Sequence, residues 1–376
     1  MREKSPILNR PLRVMHIISG DLWAGAESQA FTLLKHLHAH TSLHVVVMND
    51  GELFRRLQSL NIPLTLILES ELNSLKILTR LIAAIQTFNP DILHTHRQKE
   101  NILGNFANVI ASFPFKKRAP SVRTAHGAPE SVPLGKQKIQ VWLDSFVGKY
   151  IQQAIISVSK DLAVKLSSVF QLDTIHVIQN GVDSKALREQ AKVAEFRSAA
   201  PNHIHIGIIG RLEPVKRIDI FIEMASILAK SKSLIQPLHF YIIGDGTLRS
   251  VMERKVNDLG LNDSVSFLGH RKDIASCILS LDAIVMCSDH EGTPMTVLEA
   301  MALKTPVVAH KVGGLVEILN EYPILLVSNH SSDGYANAIS NLFSETKIEI
   351  SLKPIYEAIT NSERTLNLYK SLAAER

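Results

Sequence analysis

Only two cysteines, Cys277 and Cys287, occur in the 376 residues, and neither lies in a C-x-x-C pair. A disulfide framework and a thiolate metal cluster are thereby excluded, and two reduced thiols of a cytoplasmic protein are expected. No run approaches the ~20 apolar residues that a membrane-spanning helix requires. The apolar stretch behind the basic start, Val14–Ser19, is short, contains His16 and meets no small-residue cleavage site. It is expected to be a first strand rather than the core of a signal peptide. No G-x-G-x-x-G follows a strand, which disfavours a nicotinamide dehydrogenase. There is no low-complexity tract and no aromatic-basic platform, so a disordered tail and nucleic-acid binding are both disfavoured.

What is present is the composition of a globular chain, with 45% hydrophobic and 20% charged residues. The net charge of +5 is unevenly spread. Residues 1–190 hold 22 Lys and Arg against 15 Asp and Glu, whereas residues 191–376 hold 19 against 21. Basicity confined to one half points to an anionic partner for that half or to a solvated basic face.

Short apolar runs alternate with amphipathic stretches along the whole chain. Strands are predicted at 13–19, 43–48, 64–68, 91–95, 121–125, 154–158 and 175–178. The theme repeats at 203–209, 238–243, 265–268, 283–287, 306–309 and 324–327. Helices are predicted between them, among others at 28–38, 74–88 and 214–230. Continuous apolar strands separated by helices mean parallel sheets covered on both faces, and this many strands fit two doubly wound α/β domains better than one. A polar linker is expected between Asp183 and Asn202. The resulting division is an N-terminal domain over 1–190, a C-terminal domain over 191–354, and a helix over 355–376 returning toward the first domain.

Three constellations carry chemistry. The first strand runs into Gly20 and then Gly25-Ala26-Glu27, small residues that let an anion approach a helix N-terminus. Gly210-Arg211 follows the strand at 203–209 and leads to Pro214 and Lys216, so two cations flank a helix start at the carboxyl end of a parallel strand, where open α/β sheets bind ligands. Such a pair can clamp a diphosphate. The most specific is Glu291-Gly292-Thr293-Pro294-Met295 with Glu299 beyond it. Thr293 is expected to cap a helix beginning at Pro294, with two carboxylates bracketing its N-terminus and able to accept from sugar hydroxyls.

With these residues in place the chain resembles the family-4 glycosyltransferases. The resemblance runs in order through Ala24-Gly25-Ala26-Glu27, His94-Thr-His96, Arg123-Thr-Ala-His126-Gly127, Asn180-Gly181-Val-Asp183, Gly210-Arg211, Gly244-Asp245-Gly246, Leu268-Gly269 and Glu291 to Ala302. It implies the GT-B fold, two facing Rossmann-like domains with an inter-domain cleft, retention of anomeric configuration and no metal cofactor. It also implies residue roles. Gly25 and Ala26 match the loop near the donor diphosphate, and His126 the histidine near the reacting sugar. Arg211 and Lys216 match the diphosphate clamp, with Gly210 before them. Glu291 matches the carboxylate on the donor sugar and Glu299 the one on the ribose. Gly292, Thr293, Pro294 and Met295 lie along the sugar and phosphates, and Gly269 and Arg271 pass the base. Ala24-Gly25 stands where many members read Gly-Gly.

No Asp-x-Asp occurs, so metal-dependent sugar transfer lacks its usual ligand pair. His94 and His96 share one side of a strand end, with no third metal ligand apparent in sequence, so acceptor contact or packing is the expectation for them and for Arg97. The expected reaction moves a hexosyl group from a nucleotide diphosphate sugar, UDP foremost, to a glycan or lipid-linked acceptor in cell-surface polysaccharide or lipopolysaccharide synthesis. A nucleotide-sugar 2-epimerase and a non-catalytic binding subunit are the rivals. Lys116, Lys117, Arg118, Lys136, Lys138 and Lys149 around Trp142 suggest a peripheral seat on an anionic inner membrane face.

Overall fold

The computed structural model describes residues 10–114, 116–127, 135–231, 236–344 and 348–375. The chain forms two compact α/β units, one made of residues 1–181 with 355–376 and the other of residues 182–354.

The first unit contains seven parallel strands: β1 Arg13–Ile18, β2 Ser42–Val47, β3 Leu64–Leu66, β4 Ile92–Thr95, β5 Ser121–Ala125, β6 Ala154–Ser157 and β7 Ile175–Val177. Their order is β3-β2-β1-β4-β5-β6-β7, so the winding reverses between β1 and β4. Successive side chains of β1 divide between two cores, as the pleat demands. Val14 and Ile18 pack with Leu33, Leu34 and the C-terminal Leu368 and Tyr369. Met15 and Ile17 pack with Ile77, Leu81 and Ala107 on the other face. Helix Ser74–Phe88 shows how sequence places such an element. Asn73 accepts from the Lys76 amide at 2.9 Å, Ile77, Leu81 and Ile85 form the buried stripe, and Asn89 closes the helix in the left-handed region at φ 50°.

The second unit contains β8 Ile204–Ile209, β9 Leu238–Ile243, β10 Val265–Gly269, β11 Ala283–Met286, β12 Val307–His310 and β13 Leu326–Val327. All are parallel in the order β10-β9-β8-β11-β12-β13, with the reversal between β8 and β11. At the ends of β8 and β9 the backbones nearly touch. A Cβ on Gly244, which sits at φ 138°, would lie 1.9 Å from the Gly210 carbonyl oxygen.

Several boundaries differ from expectation. The division falls after Gly181, not after residue 190. The expected linker instead holds helices Ser184–Gln190 and Glu195–Ala199, which belong to the second unit. Asp183 caps the first of them, Arg188 donates to the Ala302 carbonyl at 3.1 Å, and Phe196 packs on Tyr241 with ring centroids 4.4 Å apart. Its polar residues are the outer faces of docked helices rather than of a free connection. The last helix, Ala358–Ala374, lies in the first unit, where Asn361 donates to the Gln179 carbonyl at 2.6 Å and Arg364 to the Val177 carbonyl at 2.7 Å.

Candidate active site

Both units place their polar residues at the carboxyl ends of strands flanking the reversal point, where an open parallel sheet leaves a crevice.

In the second unit, β8 ends at Gly210 and Arg211. Pro214–Lys216 then form a single 3-10 turn, Arg217 breaks it at φ 51°, and helix Ile218–Lys230 follows. The expected helix from Pro214 is therefore interrupted, because the left-handed Arg217 turns the chain before the main helix begins. The break aims Lys216 back over the strand end: its side chain passes Gly210 and its Nζ lies 2.6 Å from Glu291 Oε1. Glu291 comes from the turn after β11, and the Gly313-Gly314 start of a further helix fixes its backbone. Gly314 donates to the Glu291 carbonyl at 3.2 Å, and a Cβ on Gly313, at φ 53°, would lie 2.1 Å from that oxygen.

The helix beyond runs Met295–Ala302, with Pro294 as its cap at ψ 127°. This is one residue later than expected. Pro294 is still extended, and only its carbonyl joins the helix, accepting from Val297 at 3.2 Å. Thr293 is buried just outside. Glu299 projects half-buried from this helix, and burial pushes its carboxyl up to about 7. Among the described residues the Glu299 carboxyl has no hydrogen-bond or ionic partner.

Around this centre Asp289 is tied to Arg217 at 3.4 Å and to His330 at 3.1 Å, and His310 stacks on His330 with centroids 3.8 Å apart. Gly269 lies at φ 63° at the end of β10, and Arg271 is held by Asp273 at 2.6 Å. Arg211 is exposed directly after Gly210.

In the first unit, helix Gly25–Leu37 begins three residues before the expected Ser28, so Gly25 and Ala26 form its first turn rather than a loop. Buried Glu27 accepts from the Ala24 amide at 3.3 Å and pairs with Arg97. Arg97 also donates to Asp21 at 2.8 Å, which commits it to the start of this helix. His126 follows β5 and is hydrogen-bonded through Nε2 to His96 Nδ1 at 3.2 Å. Burial holds the His126 ring down at about 3.

The sequence offers His94 and His96 no third metal-capable neighbour, but the fold supplies one. The β1–β4 register sets His16 beside His94, and one nitrogen from each of the three rings lies within 4.8 Å of the others. All three are buried.

Two family descriptions match this chain in tandem. "Glycosyltransferase Family 4" covers residues 23–186 and "Glycosyl transferases group 1" covers residues 192–359. The chain belongs to the family-4 glycosyltransferases of the GT-B fold.

One relative of this glycosyltransferase is the Escherichia coli UDP-Gal:alpha-D-GlcNAc-diphosphoundecaprenol alpha-1,3-galactosyltransferase. It is 28% identical over 304 residues, 78% of this chain and 76% of that enzyme. The D-inositol 3-phosphate glycosyltransferase of Paenarthrobacter aurescens is 32% identical over 47% of this chain and 45% of its own length. Among solved structures, Anabaena HepE in complex with UDP-glucose aligns with a TM-score of 0.80 at 19% identity, covering 96% of this chain and all of that one.

Within the glycosyltransferase the structure joins Lys216 to Glu291 directly and sets Gly292, Thr293, Pro294, Met295 and Glu299 on one turn and helix. Gly269 and Arg271 stand apart at the β10 end. Sequence reasoning missed Arg217, Asp289, His330 and Gly313 as supports of that turn, and His16 and Tyr369 behind His126. A histidine interrupting an apolar strand was the available signal for His16. Tyr369 carries none, because its partner is 275 residues away in sequence.

Proposed function

We propose that the chain transfers a hexosyl group from a UDP-sugar to a glycan or lipid-linked acceptor in cell-surface glycan synthesis, with retention and without a metal. The second unit binds the donor and the first the acceptor. The observation that carries this reading is the Lys216–Glu291 pair at the reversal point of the second sheet, with the Glu299 carboxyl, unpartnered among the described residues, on the helix that follows Glu291. An ammonium there neutralises the departing diphosphate with Arg211, Glu291 accepts from donor-sugar hydroxyls, and Glu299 accepts from the ribose. The bond from the anomeric carbon to the diphosphate breaks and a bond to the acceptor oxygen forms, the hydroxyl proton passing to the leaving phosphate. The E. coli relative's UDP-linked donor and diphosphoundecaprenol acceptor support both choices.

No described helix is long and apolar enough to cross a membrane. A peripheral seat on anionic lipid, at the cytoplasmic face, is supported by helix Lys136–Tyr150. Trp142 is 64% and Tyr150 73% exposed on it, with Phe146 stacked on Trp142 and tilted against Tyr150. Neighbouring helix Gln98–Ser112 ends beside Phe113, which is 82% exposed, and then Lys116, Lys117 and Arg118. The Lys136 side chain lies outside the described residues.

The test is a thermal-shift screen of nucleoside diphosphates and nucleotide sugars, followed by product analysis with and without EDTA. A UDP-selective rise in Tm and an EDTA-insensitive glycoside of unchanged anomeric configuration are expected. An epimerised nucleotide sugar formed from donor alone would overturn the transfer reading in favour of a 2-epimerase, and binding without turnover would leave a binding subunit.

A further inference from the structure

Behind His126 the first unit buries a single file of hydrogen-bonding groups. His126 Nε2 meets His96 Nδ1 at 3.2 Å, and His96 Nε2 meets His16 Nδ1 at 3.1 Å. His16 Nε2 meets the Tyr369 hydroxyl at 3.4 Å, that hydroxyl meets His94 Nδ1, and His94 Nε2 meets Thr124 Oγ1 at 2.8 Å. Six groups from β1, β4 and the residue after it, β5 and the residue after it, and the C-terminal helix thus form one unbranched series among the described residues. Its far end, His126 Nδ1, is buried without a partner among the described residues.

The rings are neutral. Burial holds His16 and His126 down at about 3 and His94 and His96 well below their ordinary value. A neutral imidazole has one donor nitrogen and one acceptor nitrogen, and a hydroxyl between two partners donates to one of them. Two donors or two lone pairs facing each other at 3 Å in a buried site are costly. Donation must therefore run the same way through the whole file. In one sense Thr124 starts it and all four rings carry the proton on Nδ1. In the other His126 starts it and all four carry it on Nε2.

We propose that His16, His94, His96 and His126 share one tautomer, and that Tyr369 and His16 are positioning residues fixing the ring state His126 brings to the reaction. The role, though not the shared tautomer, rests on the reading of His126 as a reaction-facing residue. A tris-histidine metal site is the competing use of the same rings. It is disfavoured because each nitrogen of His16, His94 and His96 already faces a hydrogen-bond partner, so no set of lone pairs is left converging on a centre.

The experiment is ¹⁵N NMR of the full chain labelled at histidine, recorded without donor for the parent, Tyr369→Phe and Thr124→Val. Tyr369→Phe removes only the hydroxyl and Thr124→Val exchanges it for a methyl group of similar size. One common tautomer is expected in the parent, with loss of that uniformity in Tyr369→Phe, where His94 separates from the other three. Thr124→Val is expected to change the His94 pattern and, through it, His126. Turnover of Tyr369→Phe should fall about tenfold in kcat at unchanged donor KM, the scale of an impaired acid–base partner. Mixed tautomers in the parent, an unmoved His126 in both folded variants, or stoichiometric Co²⁺ uptake by the full chain would overturn the proposal. A chain silent as a transferase yet showing the shared tautomer would sink the functional reading and leave the series standing.

Discussion

The Lys216 ammonium sits 2.6 Å from the Glu291 carboxylate, although the two residues follow different strands, β8 and β11. Each neutralises the other until an anion arrives, and a diphosphate and a sugar hydroxyl can replace that partnership. Lys216→Ala and Glu291→Ala should each reduce turnover by about 100-fold or more, the usual scale for a transition-state electrostatic group. The double variant should lose far less than the product of the two, because the partners are in contact. Steady-state kcat values for the four proteins decide it, and near-normal turnover in either single variant removes that residue from the mechanism.

Glu299 carries a stability signature. Its folded value of about 7 lies above its ordinary 4.5, so the folded state prefers the neutral carboxyl. That preference contributes fully below pH 4.5 and is lost as pH rises through 7. Glu299→Gln should therefore gain little or nothing in Tm at pH 4.5 and several degrees at pH 8. It should also weaken nucleotide binding, since an amide accepts less strongly than a carboxylate from ribose hydroxyls. Scanning calorimetry across that range, paired with nucleotide titration, checks both. A Tm difference that does not depend on pH would place the raised value elsewhere.

The strands were legible because β-rich apolar runs such as Ile204–Ile209, buried on both faces, leave little room for another reading. Lys216 and Glu291 were legible as residues at strand ends. Helix starts were less so: Gly25 and Ala26 lack cap chemistry, and Arg217 adopts a left-handed turn that nothing in its side chain demands. The segment 184–199 reads as polar because a short docked helix exposes most of its surface. The histidine series depends on strand order, since His16 meets His94 only when β1 lies beside β4.

The aromatic face of helix Lys136–Tyr150 makes a separate prediction. Trp142→Ala together with Tyr150→Ala should reduce flotation with anionic liposomes while leaving the fold unchanged, because both side chains are exposed. Lys116→Glu with Lys117→Glu should reduce it further and steepen the loss with salt. Equal flotation with neutral and anionic vesicles, or none with either, would remove the membrane from the account.

The buried histidines set an acid limit on the first unit. His16 and His126 stay neutral down to about 3 in the folded chain, whereas an unfolded histidine takes up a proton near 6.5. Their depressed values mean stability that is present above pH 6.5 and drains away as pH falls toward 3. His16→Gln, which keeps a polar side chain without a proton-binding ring, should flatten that loss even if its Tm at pH 8 is lower than the parent's. Circular dichroism melts between pH 8 and pH 4 give the slopes. Parallel slopes for the parent and the variant would show that His16 does not set the acid limit.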